Sequence, residues 1–185
     1  LSLAKLEAHP HGIDLGALEA RVPEVLATPS AQIELAPDSI LRELDRLDEQ
    51  LAGEEPEGLV LVGRRHLRSN NSWMHNVPAL MTGRDRCTLL VNPGDAGELG
   101  LEDGKLARIR SEAGSVTVPV EVSDEMMPGV VSLPHGWGHD KPGAQLGVAS
   151  AHAGVCNNAL APGEFVDAIS GNAVVNGIPV EVAPA

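Results

Sequence analysis

From Leu59 to its end, the chain is written in short apolar runs, each closed by Gly, Pro or an amide. Leu59–Val62 and Thr88–Val91 are runs of buried-strand type, the second ending on Asn92-Pro93-Gly94. Asp95 is the expected cap of a short helix through Leu99, and the turn 102–104 leads into a strand expected over Lys105–Ser111. The tight turn Glu112–Gly114 then returns the chain through Val116, Val118, Val120 and Val122, which alternate strictly and so line one face of a strand. Pro128-Gly129 has type II turn chemistry and opens Val130–Leu133. Further strands are expected at Phe165–Ile169, Ala173–Val175 and Ile178–Val182. About seven strands this short and this closely punctuated suit a closed β-barrel rather than a βαβ array. Because Phe165, Trp73 and Trp137 are the only aromatic residues, the core must be aliphatic.

Residues 1–57 have a different character. They hold 13 of the 26 acids and carry helical rather than strand patterning. In residues 38–51, the apolar positions 40, 41, 44, 47 and 51 follow the helical repeat, with Asp38 as N-cap and Gly53 as stop. A second helix is expected over Leu15–Val22 and a short strand over Gln32–Leu35. Glu54–Gly58 has linker composition. The segment is thinly apolar and reads as the end of a preceding domain, and the chain, which opens on Leu1, as a piece of something longer.

Charge is distributed unevenly. The formal net charge is −13, yet five of the ten arginines fall between Arg64 and Arg86, and Asp85 is the only acid from residue 59 to residue 92. Arginine forks suit phosphate, and asparagine amides suit the edges of a heterocycle, so the segment GRRHLRSNNSWMHN at 63–76 is a candidate anion site. The competing reading is a solvated basic loop paired with acids elsewhere. The overall acidity argues against nucleic acid or an anionic membrane surface as partner. No apolar run reaches the roughly 18 residues of a membrane helix.

Two more clusters carry polar chemistry. PHGWGHD at 134–140 follows an apolar strand, and its glycines let a flat ligand approach the backbone while Trp137 offers a ring face. His135 and His139 are spaced as a helical metal pair, but Pro134, Gly136 and Gly138 disfavour a helix there. HAGVCNN at 152–158 is a second glycine–amide cluster. Cys87 and Cys156 are isolated, so no disulfide scaffold or zinc ribbon is indicated, and both read as thiols of a reducing compartment such as the cytoplasm. There is no nucleophile elbow and no P-loop.

Taken in order, several of these blocks resemble one family. NPGDAGELGLEDG at 92–104, the strand and SEAG turn that follow, PGVV at 128–131, PHGWG at 134–138, NNAL at 157–160 and DAISG at 167–171 are similar to marks of the C-terminal domain of molybdopterin oxidoreductases. That family includes formate dehydrogenases and dimethyl sulfoxide reductase. The resemblance runs over about residues 59–182. It implies a mainly β fold: a double-psi β-barrel with short helices over 58–185, preceded in 1–57 by the helical remnant and linker of an α/β domain. It implies a bis(molybdopterin guanine dinucleotide) cofactor carrying Mo or W, with any iron–sulfur cluster in an upstream domain.

The resemblance also implies site residues. In the loop after the first strand they are Gly63, Arg64, Arg65, Arg68, Asn70, Asn71, Ser72 and His75. His135, Gly136 and Trp137 follow, then Asn157 and Asn158, then Asp167 and Asn172. The arginines would neutralise pyrophosphate and the amides would fix the pterin edges. No catalytic residue and no metal ligand is expected here, so the domain would not turn over alone. The expected partners are the rest of the catalytic subunit and an electron-transfer subunit, with no membrane contact. Two alternatives stand beside this reading: a double-psi barrel that binds protein without cofactor, and a small metal enzyme built on His135, His139 and His152.

Overall fold

The computed structural model describes residues 1–53 and 58–185. The chain divides into two compact units, Leu1–Gly53 and Glu54–Ala185. Residues 54–57, and with them most of the expected linker, lie outside the described residues.

The first unit holds two helices, α1 (Leu3–Glu7) and α2 (Asp38–Ala52). α2 forms where its periodicity predicts, but Asp38 is its first helical residue and Pro37 stands at the cap without a side-chain bond. No helix forms over 15–22. There, the Asp14 carboxylate accepts from the Gly16 N–H at 2.8 Å and Gly16 takes φ +81°, a turn that competes with helical bonding. Pro23 further disfavours a helical conformation at Val22. The expected strand at 32–35 is absent as well. The Thr28 hydroxyl donates to the Gln32 carbonyl and Ser30 Oγ accepts from the Gln32 N–H, so local hydroxyl bonds replace a ladder.

The second unit is mainly β. Six strands, β1 (Leu59–Arg64), β2 (Leu89–Val91), β3 (Leu106–Arg110), β4 (Ser115–Val122), β5 (Val130–Pro134) and β6 (Ile178–Pro184), close into a barrel in the order β1-β5-β2-β4-β3-β6. β1 runs parallel to β5 and β2 parallel to β4, while the remaining neighbours are antiparallel. Two interlocked parallel pairs in one small barrel give the double-psi arrangement that the resemblance implies. The valine alternation places Val118 and Val120 in the core; Val118 lies opposite Ala107 of β3, and Ile109 opposite Val116 continues the same face. Leu61, Leu89, Val131, Leu133, Ile178 and Val182 complete an aliphatic interior.

Two expectations need correction. Residues 165–169 and 173–175 form no barrel strands; they meet in one bridge, Val166 to Ala173, over a turn in which Asp167 Oδ1 accepts from the Ser170 N–H. The short helix α3 (Pro93–Leu99) is capped by Asn92, whose Oδ1 accepts from the Gly94 N–H. Asp95, the expected cap, instead accepts from the Gly129 N–H at 2.8 Å and ties α3 to the turn before β5.

The register of β1 on β5 positions everything that follows. Arg64 lies opposite Pro134, so the loops leaving these parallel strands emerge side by side. The arginine–amide loop and the PHGWG loop are therefore neighbours by construction.

Candidate functional site

A cavity of about 560 Å³ opens where three loops meet above β1 and β5. The first loop contributes Gly63, Arg64, Arg65, Asn71 and Ser72; the second contributes His135, Gly136 and Trp137. Asn157 and Asn158 come from a 3₁₀ turn at Asn157–Leu160. These ten of the expected residues are brought together. Arg68 and Asn70 are not part of the cavity lining, His75 is buried against Trp137, and Asp167 and Asn172 belong to the separate turn at 165–174. Four lining residues were not anticipated as cofactor contacts: Cys156, Val175, Asn176 and His139, the last considered only for the metal alternative.

Backbone geometry holds the loops at this distance. Asn70 and Asn71 take positive φ, 43° and 63°, which asparagine tolerates better than most residues. Gly136 has φ +87°, and a Cβ there would meet the Asn71 carbonyl oxygen at 2.0 Å. The second loop can therefore touch the first only because residue 136 has no side chain. The Asn71 amide oxygen accepts from Arg65 Nη1 and bonds to His135 Nε2 at 3.0 Å, so one amide joins both loops. Asn176 Oδ1 accepts from the Gly63 N–H at 2.7 Å and pins the end of β1.

The arginine cluster separates into two roles. Arg64 donates to the carbonyls of Ser132 and Thr88 and to the Thr88 hydroxyl, so its guanidinium stitches β1 to β5 and β2. Burial pushes its pKa down from the ordinary value, opposed by Glu121 and Cys87, and arginine keeps its charge at neutral pH. Arg86 donates to the Leu80 carbonyl at 2.6 Å, and Arg84 pairs with Glu121 at 3.2 Å. Among the described residues, Arg68 makes no side-chain hydrogen bond or ion pair and is exposed. That leaves Arg65 as the exposed cation at the cavity rim.

Two buried polar atoms in the lining have no protein partner among the described residues. Trp137 Nε1–H is a donor and Asn157 Oδ1 an acceptor, on residues only 6% and 5% exposed. A buried polar group without a partner costs about 1–3 kcal/mol, so two in one cavity are a specific deficit. A ligand with an N–H beside an acceptor would meet it, and amide-type heterocycle edges present that pattern. The donor set thus fits a polar heterocycle, with Arg65 placed for an attached anion.

Behind the lining, His75 is fully buried with its ring stacked on Trp137 at 4.0 Å between centroids. Its Nδ1 lies 2.8 Å from His139 Nε2 and its Nε2 lies 2.8 Å from Ser69 Oγ. Burial, then the neighbouring His139 and Arg86, holds its pKa down to about 4. His139 is also lowered, chiefly by burial, with Asp140 opposing. His135, His139 and His152 each have different partners: Asn71, His75 and Asp85. No three side chains of metal-ligating type converge among the described residues.

Residues 59–179 match the family described as the Molydopterin dinucleotide binding domain. The chain is 32% identical over 77 residues to the dimethyl sulfoxide/trimethylamine N-oxide reductase of Cereibacter sphaeroides, covering 42% of this chain and 9% of that protein. It is 30% identical over 122 residues to the molybdopterin-containing subunit of the arsenate respiratory reductase of Chrysiogenes arsenatis, covering 63% of this chain and 14% of that one. The chain therefore spans only a small part of the curated relatives it matches. Among solved structures, acetylene hydratase from Pelobacter acetylenicus superposes with a TM-score of 0.64 at 21% identity, over 86% of this chain and 24% of that one. This last likeness concerns the fold.

Proposed function

Because the chain belongs to the family of Molydopterin dinucleotide binding domains, we propose that the three-loop cavity receives part of a bis(molybdopterin guanine dinucleotide) bearing molybdenum or tungsten. The single observation that carries this reading is the unpartnered donor and acceptor, Trp137 Nε1–H and Asn157 Oδ1, buried in one lining. Asn157 and Trp137 would satisfy a heterocycle edge, and Arg65 would neutralise phosphate at the rim. When bound, the group supplies the redox or atom-transfer chemistry of its metal.

The residues of this chain do other work. Arg64 holds β1, β5 and β2 in register, so the loop ends stay at a fixed spacing. Asn71 orients Arg65 and His135 through one amide oxygen. Gly136 permits the close approach of the first two loops.

On this reading the chain acts within a larger catalytic subunit of an oxidoreductase, with that subunit and an electron-transfer subunit as partners. Any iron–sulfur cluster belongs to an upstream domain, and residues 1–53 are the end of the domain before the barrel. The test is the cofactor content of the full-length protein. Arg65→Ala combined with Asn157→Leu should lower bound pterin and metal at least several-fold without unfolding the barrel. Unchanged content in the double variant would overturn the assignment.

A further inference from the structure

The His75–His139 contact is not explained by packing. Two imidazoles 2.8 Å apart, nitrogen to nitrogen, can share only one bridging proton while both are neutral. His75 has no freedom to turn away, because Ser69 Oγ holds its other nitrogen and Trp137 covers its face. His139 differs, since it lines the cavity and adjoins the Asp140 carboxylate. Charge on the pair is thus better tolerated at His139 than at His75.

We propose that these rings form a one-proton switch in the cavity wall: the pair takes up a single proton, its charge resides on His139, and His75 is the positioning residue that accepts from it. In the charged state His139 bears two N–H groups and donates Nε2–H to His75 Nδ1. The single proton of His75 then resides on Nε2 and is donated to Ser69 Oγ. One proton comes from solvent and none is lost. A second proton would set two imidazolium rings against each other across the bridge, so the pair holds one until the pH falls to about 4.

The groups facing the pair agree with this order. His75 is approached by His139 from the PHGWG loop, by Arg86 ahead of β2 and by His66 of its own loop, with no carboxylate among them. His139 faces Asp140 as well as His75, and because the Gly136 backbone bonds to both rings, the Asp140 carboxylate is what sets them apart. Protonation makes the cavity wall more positive, which favours an anionic ligand; that consequence rests on the function proposed above, whereas the switch itself does not.

The test is the pH titration of imidazole ¹⁵N resonances in the full 185-residue chain. The expected result is a His139 midpoint below the ordinary 6.5, while His75 stays neutral until about 4. His75→Phe keeps a ring against Trp137 but removes the acceptor. The His139 midpoint should then fall by about one pH unit, the scale of a charge-assisted hydrogen bond. Ser69→Ala should lower it in the same direction by less, and decides the matter if His75→Phe does not fold. A His139 midpoint that stays or rises in the folded variants, or His75 titrating before His139, overturns the switch. Adding inorganic pyrophosphate should raise the His139 midpoint. If it does not while the variants behave as expected, the switch stands and the anion reading of the cavity fails.

Discussion

The β3–β4 hairpin and the three-loop cavity wall belong to the same barrel but follow opposite rules. In the hairpin, alternate residues go into the core, the register is unbroken from Leu106–Pro119 to Arg110–Ser115, and no buried side-chain polar atom lacks a partner. In the cavity wall, two asparagines take left-handed backbone, a glycine is wedged against a carbonyl, and a buried donor and acceptor go unmet. Strain and unmet polarity persist only where surrounding structure holds them, and they concentrate at sites selected for something other than stability. The hairpin illustrates how the barrel folds; the wall is where strain and unmet polarity gather.

The largest expected effect breaks that contrast at its tightest point. Gly136→Ala drives a Cβ into the Asn71 carbonyl and should cost about 4 kcal/mol or more, read by urea denaturation. Gly104, at φ +73° in the turn before β3, has no heavy atom within 4 Å of a built Cβ, so Gly104→Ala should cost only about 1 kcal/mol. Equal costs would mean that the loops do not truly meet.

Next in size is Arg64→Ala, which strands the Ser132 and Thr88 carbonyls and should cost about 3 kcal/mol. Arg65→Ala, at the exposed rim, should change stability by less than about 0.5 kcal/mol. Denaturation curves of both variants side by side would separate the structural arginine from the one at the cavity rim.

The pH dependence comes third. His75 is neutral in the folded state down to about 4, whereas the unfolded chain protonates it below about 6.5. Its contribution to stability is therefore complete above 6.5, declines as pH falls from 6.5 to 4, and declines no further below that. The full loss is on the order of 3 kcal/mol, and His75→Phe should flatten that part of the stability profile.

The smallest effect is the most pointed. Asn157→Leu removes an acceptor that has no protein partner, so stability should stay within about 1 kcal/mol of the parent, while cofactor content falls. A large destabilisation would show that Asn157 is structural.

What the sequence revealed follows the same division. β4 and α2 were legible because a period of 2 or 3.6 maps directly onto a face. Asp95 and the helix expected at 15–22 were misjudged because side-chain capping and turn bonds compete locally, and a pattern does not say which wins. In the site, loop membership was legible but side-chain direction was not. Arg64 and Arg65 are adjacent and identical, yet one faces barrel carbonyls and the other the rim. Asn176 falls between the expected strands at 173–175 and 178–182, and nothing in an Asn-Gly pair shows that its amide reaches back to Gly63. His139 was weighed as a metal ligand, and only its distance to His75 suggests another role.

The structure of the full-length protein loaded with its molybdopterin dinucleotide tests the central claim most directly. The account predicts a ligand N–H within hydrogen-bond distance of Asn157 Oδ1, an acceptor facing Trp137 Nε1, and a phosphate beside Arg65. A cofactor that leaves both buried atoms unpartnered, with no phosphate at the rim, would contradict it.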